Sequence, residues 1–148
     1  MSITKRIIAR LDIKGNRLIK GIRFEGLRVI GDPFENAKKY FQEGIDEIVY
    51  LDSVASLYGR NSLHDVLKQT SREIFIPITA GGGIRNIEDA RLLLASGADK
   101  IAVNTACLER PELISELASS FGEQAVVVSI QARKRFNSNE WELSLIHI

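Results

Sequence analysis

The stretch PITAGGGIRNIEDARLLLASGADKIAVNTA, residues 77–106, decides the fold. It begins within an apolar run at 76–80 (IPITA), passes three glycines and an amphipathic segment, and closes on a second apolar run at 100–104 (KIAVN). Both runs are apolar at nearly every position instead of alternating. Strands buried on both faces of a parallel sheet read this way. Between them lies IEDARLLLAS, residues 87–96, with Asn86 placed to cap a helix and Gly97 to end it. The stretch is a β-α-β unit.

The same unit recurs on both sides. Apolar runs at 7–13, 47–52 (EIVYLD) and 125–131 (AVVVSIQ) read as further strands. Helices are expected over 33–43, where Asp32 is the N-cap, Pro33 sits in the first turn and Gly44 stops the run, then over about 62–73. A last one covers 111–121 (PELISELASSF), ended by Gly122. The order is β-α-β-α-β-α-β-α-β. Repeated βα units with right-handed crossovers give either an open doubly wound sheet or a closed barrel. Gly44-Ile45-Asp46-Glu47-Ile48 is echoed by Gly97-Ala98-Asp99-Lys100-Ile101, which by itself is only the chemistry of a helix-to-strand loop. The connection 14–31 is longer than the others. It contains LIKGIRFEGLRVIG, too apolar for a solvated linker, so a lid or small hairpin over a site is expected.

Composition narrows the function classes. The 148 residues are 45% hydrophobic and 26% charged with a net charge of +1, an ordinary globular balance without the basic excess of a nucleic-acid or acidic-membrane binder. The single cysteine, Cys107, makes no disulfide framework, suits a reducing compartment and is expected to pack in the core. The apolar run near the N-terminus is broken by Arg10 and Asp12, too early for an export signal. No stretch approaches the roughly 18 apolar residues of a membrane span. A cytoplasmic protein is expected, with no metal site and no cofactor.

In a βα barrel the chemistry collects at the C-terminal ends of the strands. Asp12, Asp52, Gly81–Gly83, Asn104 with Thr105, and Gln131 all fall at such ends. Glycines leaving a strand let the backbone approach an anion, and the helix behind them adds its positive end. Gly82, Gly83, Asn104 and Thr105 are therefore the candidate phosphate site. Asp12 ends an apolar strand, where partial desolvation suits a carboxylate to acid–base work; its alternative is a plain cap. Lys20, in the long connection, either holds a substrate anion or is simply exposed. Arg6, Glu47 and Lys100 each precede an apolar run, as solvated strand starts or as a ring of alternating charge closing the floor of a barrel.

These blocks in order, ARLDIKGNRLIKG, GDP with its helix and GIDEIVYLD, PITAGGGIRNIEDARLLLASGADKIAVNTA and FGEQAVVVSI, resemble the cyclase subunit family of imidazole glycerol phosphate synthase. The likeness runs from about residue 4 to 142. It implies the first four βα units and fifth strand of a (β/α)8 TIM barrel, half of a fold that typically takes about 250 residues. Residues 1–142 are expected to be that N-terminal half. The resemblance implies an enzyme that takes ammonia from a glutaminase (amidotransferase) partner subunit. The enzyme combines it with a bis-phosphorylated ribulosyl-aminoimidazole carboxamide to give imidazole glycerol phosphate in histidine biosynthesis. It places Asp12 on the catalytic aspartate, Lys20 on a lid lysine, and Gly83, Asn104 and Thr105 on one of two phosphate sites, beside Gly82. Arg6, Glu47 and Lys100 fall on an ammonia gate, and Asp99 on the partner face.

Two departures stand out. The family writes AIDAK at the end of the fifth strand, with a second catalytic aspartate; this chain has SIQARK, with Gln131 there. An amide orients a ligand but exchanges no proton at neutral pH. Together with LDIKG and VASLYGRNSL, this resembles a paralogous branch that uses ammonia to place acetamidino groups on surface-polysaccharide sugars. A phosphate-binding half-barrel module without catalysis is the third reading. The second departure is LSLIHI, residues 143–148, which a common transposon-adapter sequence encodes in one frame. It is expected to be a non-native tail in which His147 carries no function, and the isolated half barrel to be inactive.

Overall fold

The computed structural model describes residues 3–22, 26–53 and 63–143. Its elements run β1 (Ile8–Lys14), β2 (Arg17–Ile22), β3 (Gly26–Gly31), α1 (Pro33–Gln42), β4 (Glu47–Asp52), α2 (Leu63–Glu73) and β5 (Ile78–Gly81). They continue with α3 (Ile87–Ala95), β6 (Lys100–Val103), α4 (Thr105–Glu109), α5 (Glu112–Phe121), β7 (Val126–Val128), β8 (Ala132–Lys134) and β9 (Trp141–Leu143).

Five parallel strands stand side by side in chain order, β1-β4-β5-β6-β7. A doubly wound sheet reverses its order at a switch point. This sheet does not reverse, and helices α1, α2, α3 and α5 pack each on the next. That is the arrangement of an opened barrel wall.

Register divides the sheet into two faces. Leu11, Tyr50, Ala80, Ile101 and Val126 lie in one row, and Asp12, Leu51, Gly81, Ala102 and Val127 in the next. The first row faces the helices: the Tyr50 hydroxyl meets Thr70 Oγ1 of α2 at 2.8 Å. Ile78, Leu93, Leu113 and Leu117 complete this core. Each such buried side chain contributes roughly 1.5–3 kcal/mol. Cys107 is buried there, as expected, and burial pushes its thiol pKa up. The second row belongs to the inner face, which carries the site.

Local sequence sets the helix ends. Asp32 accepts from the Glu35 amide at 2.9 Å and Asn86 from the Asp89 amide at 2.9 Å, the two N-caps expected. The echoed loops do the same work twice. Ile7 N–H donates to Asp46 Oδ2 at 2.7 Å while Asp46 N–H donates to Ile7 O at 3.0 Å. Likewise Ile78 N–H donates to Asp99 Oδ2 and Asp99 N–H to Ile78 O, both at 2.8 Å. Each aspartate thus locks its own strand to the start of the strand before it.

Several boundaries differ from the sequence reading. The fifth parallel strand is Val126–Val128, preceded by a 3-10 turn at Glu123–Ala125, so Gln131 lies three residues beyond the strand. Pairing ends where β6 ends, with Val103 opposite Val128. The segment before Pro111 is helical as α4, and α5 begins one residue after that proline. The long connection forms the hairpin β2–β3, joined to β1 only through Ile13 opposite Leu18 and Lys14 opposite Arg17. Residues 54–62, which carry most of VASLYGRNSL, lie outside the described residues, as do 144–148 of the tail.

Candidate functional site

A cavity of about 180 Å³ opens at the C-terminal ends of the parallel strands. Its walls include Arg10, Leu51, Gly82, Gly83, Asn104 and Gln131, with Thr105 and Ser129 beside them. Complete small-molecule sites run to roughly 300–1,000 Å³, so these residues build one end of a larger site. The phosphate candidates chosen from sequence, Gly82, Gly83, Asn104 and Thr105, are brought together here, and Gln131 joins them.

The glycines are there for steric reasons. At Gly82 φ is +101°, and an added Cβ would lie 2.3 Å from the backbone oxygen of Asp52. The turn can therefore lie against the end of β4 only without a side chain. Gly83 also has positive φ, +69°. The turn presents its backbone edge toward the cavity. Asn86 and Asp89 close the first turn of α3 among themselves: Asp89 Oδ2 accepts from the Arg85 amide at 3.0 Å while Asn86 caps Asp89. Anion contact thus falls to the glycine loop more than to the first turn of α3. Asn104 precedes α4 without a side-chain cap bond, which leaves its amide to the cavity.

Asp12 lies on the inner face in the row of Leu51 and Gly81. It is half-buried, not enclosed, and accepts from Arg10 Nε at 3.1 Å. Arg10 is the site residue that sequence reasoning missed. The signal was available: residues two apart on a strand share a face, and Arg10 precedes Asp12 by two. Lys20 is exposed on β2 opposite Arg28, and it is not part of the cavity wall.

The charged starts of the strands form a cluster at the opposite end. Glu47 is buried, paired through one carboxylate oxygen with Arg6 and through the other with Lys100 Nζ at 4.0 Å. A buried carboxylate between two cations is costly to break, because removing either partner leaves charge out of water. Asp99 is exposed beside this end, its carboxylate already engaged by the Ile78 amide.

A family model described as histidine biosynthesis protein matches residues 6–145. The chain belongs to the histidine biosynthesis protein family. Within that family it is 56% identical over 138 residues to imidazole glycerol phosphate synthase subunit HisF of Legionella pneumophila, covering 93% of this chain and 65% of that protein. It is 51% identical over 148 residues to the HisF subunit of Methanopyrus kandleri, covering 100% of this chain and 54% of that one. The HisF subunit of Mycobacteroides abscessus is 49% identical over 134 residues, covering 90% of this chain and 52% of the relative. The chain therefore spans about half to two thirds of the length of the curated relatives it matches. The family assignment fits the singly wound sheet and the site at its C-terminal rim. Among the described residues no helix is long and apolar enough to cross a membrane.

Proposed function

We propose that residues 1–142 are the N-terminal half of an ammonia-using cyclase of the imidazole glycerol phosphate synthase type, acting in the cytoplasm. Ammonia released from glutamine by a glutaminase subunit enters past Arg6, Glu47 and Lys100, at the face that includes Asp99. It reacts at the other end with a ribulosyl-aminoimidazole carboxamide bearing two phosphates, giving imidazole glycerol phosphate. Gly82, Gly83, Asn104 and Thr105 hold one phosphate. Asp12 is the catalytic acid–base group, and Lys20 approaches on the hairpin when substrate is bound. Residues 143–148 are a non-native tail.

One observation carries this reading: a single cavity gathers the glycine turn, Asn104, Thr105 and Gln131 on the inner face that also holds Asp12. The test supplies ammonium chloride as nitrogen source to the full-length protein, which removes dependence on the glutaminase. Asp12→Asn should lower turnover by at least 100-fold, within the usual range for a general acid–base group, while phosphate binding persists. Unchanged turnover would remove Asp12 from catalysis.

Gln131 favours a second reading. It stands in the cavity wall where the resemblance expects a carboxylate, so of the two carboxylates that the resemblance implies this chain keeps one, Asp12. That suits the branch that modifies surface sugars with acetamidino groups. Gln131→Asp separates the two: a large gain of cyclase activity supports the histidine-pathway enzyme, and no gain supports sugar modification.

A further inference from the structure

Residues 14–31 concentrate positive charge. They hold five basic residues, Lys14, Arg17, Lys20, Arg23 and Arg28, against one acid, Glu25. The whole chain is only +1, so the rest of it is net acidic by three charges. Register sets like charge against like: Lys14 stands opposite Arg17 at the root of the hairpin, and Lys20 opposite Arg28 along it. All four are exposed, and among the described residues none has an acidic partner. Like charges directly opposite on antiparallel strands, with Cβ atoms about 4.5–5.5 Å apart, weaken the pairing, so the fold alone gives no reason for them. Of the two pairs, Lys14–Arg17 lies on the path to the cavity. Residues two apart on a strand share a face, which sets Lys14 on the inner face with Asp12, roughly 7 Å farther toward the rim. β4 ends one row lower, where Asp52 faces Ile13, so the pair stands clear of the wall. The two arginines that line the cavity have their charge offset, Arg10 by Asp12 at 3.1 Å and Arg85 by Asp89 at 3.5 Å. Lys14 and Arg17 keep theirs unopposed. The screening length is about 8 Å at physiological salt, so these two charges act on an anion over the last step of its approach.

We propose that Lys14 and Arg17 are the capture residues for a phosphorylated substrate. They draw it from solvent to the inner rim beside Asp12 and set how fast it associates, not how firmly it is held at the Gly82–Gly83 turn. The inference rests on the phosphate site proposed above. Charges at the edge of a site act on the association rate and on its salt dependence, and a charged cleft raises that rate by about 10- to 1,000-fold. Repulsion between the two opposed cations eases when an anion comes near both. The feature that weakens the empty hairpin thus favours arrival of the ligand.

Two-dimensional 15N line shapes of the full-length protein, titrated with ribulose 5-phosphate, give the affinity and the dissociation rate together, and hence the association rate. Lys14→Gln combined with Arg17→Gln should lower the association rate about five-fold or more at about 20 mM NaCl, where screening is weak. The dissociation rate should stay within about two-fold. At about 300 mM NaCl the difference in association should shrink below about two-fold. Lys14→Arg combined with Arg17→Lys keeps both charges and should associate like the unaltered protein. Lys39→Gln combined with Arg91→Gln removes the same charge from exposed positions on α1 and α3 and should leave association unchanged. An unaltered association rate in the first variant, or a loss that appears in the dissociation rate, overturns the proposal while the glycine-turn site stands. So does a loss that persists undiminished at high salt. An equal loss in the Lys39 and Arg91 variant overturns it as an effect of overall charge. No saturable binding of ribulose 5-phosphate to the unaltered protein overturns the glycine-turn site and this inference with it.

Discussion

Tyr50 carries the sharpest expectation for a single side chain. It is wholly buried and bonded to Thr70, and burial pushes its hydroxyl up to about 12, against a lowering contribution from the Thr70 bond. The unfolded chain releases this proton near 10.0. Above that pH the unfolded state holds fewer protons than the folded one, so stability falls as pH rises. The contribution is fully present below about 10 and lost progressively up to about 12, some 2–3 kcal/mol in all. Urea unfolding of Tyr50→Phe should lack this part of the alkaline decline. An identical alkaline decline in the variant would exclude Tyr50 as its source. The residue scale is also where sequence reading fell short. Gly82, Gly83, Asn104 and Thr105 were legible as cavity residues because they follow directly on the apolar runs of two adjacent strands. Arg10 was not, because an arginine in an apolar run carries no local signal, and only the two-residue period of a strand puts it on the face of Asp12.

At the scale of elements, the helix caps were legible because Asp32 and Asn86 act on amides three residues away. Strand ends were less so. AVVVSIQ is apolar at five of its seven positions, Ile130 included, yet its strand stops at Val128 because its neighbour β6 has run out. Strand length is decided by the partner, which no local window contains. The five-residue α4 was missed because it has neither a capping side chain nor a full apolar stripe. The two aspartate loops turn an ambiguous echo into a mechanical feature, and they give Asp99 a task inside the chain in addition to its proposed place on the partner face. Asp99→Ala and Asp46→Ala should each cost about 1–2 kcal/mol in denaturant unfolding, the value of a hydrogen bond from backbone to carboxylate. Asp99→Asn, which keeps an acceptor, should cost less. Full stability in Asp99→Ala would mean that the strand-start bracket contributes nothing.

For the molecule as a whole, the sheet is a wall with two open margins. Residues 8–12 of β1 have no strand beside them on the side away from β4, and β7 has none beyond it, among the described residues. Ile8, Val127, Val128 and Ile130 are exposed along these margins. Unpaired edges and apolar inner faces seek partners. The 148-residue chain alone should therefore sediment as a dimer or larger species. A stable monomer at micromolar concentration would contradict the half-barrel account. Barrel and doubly wound sheet could not be separated from local patterns, because both repeat the same unit; only the order of strands in space distinguishes them.

In the proposed enzyme the glycine turn and the Asn104–Thr105 segment jointly form an oxyanion site. Titration of the 15N-labelled full-length protein with inorganic phosphate tests it most directly. The largest saturable amide shifts should fall on Gly82, Gly83, Asn104 and Thr105. Saturable binding that leaves those four amides unmoved, with the shifts elsewhere, would contradict it.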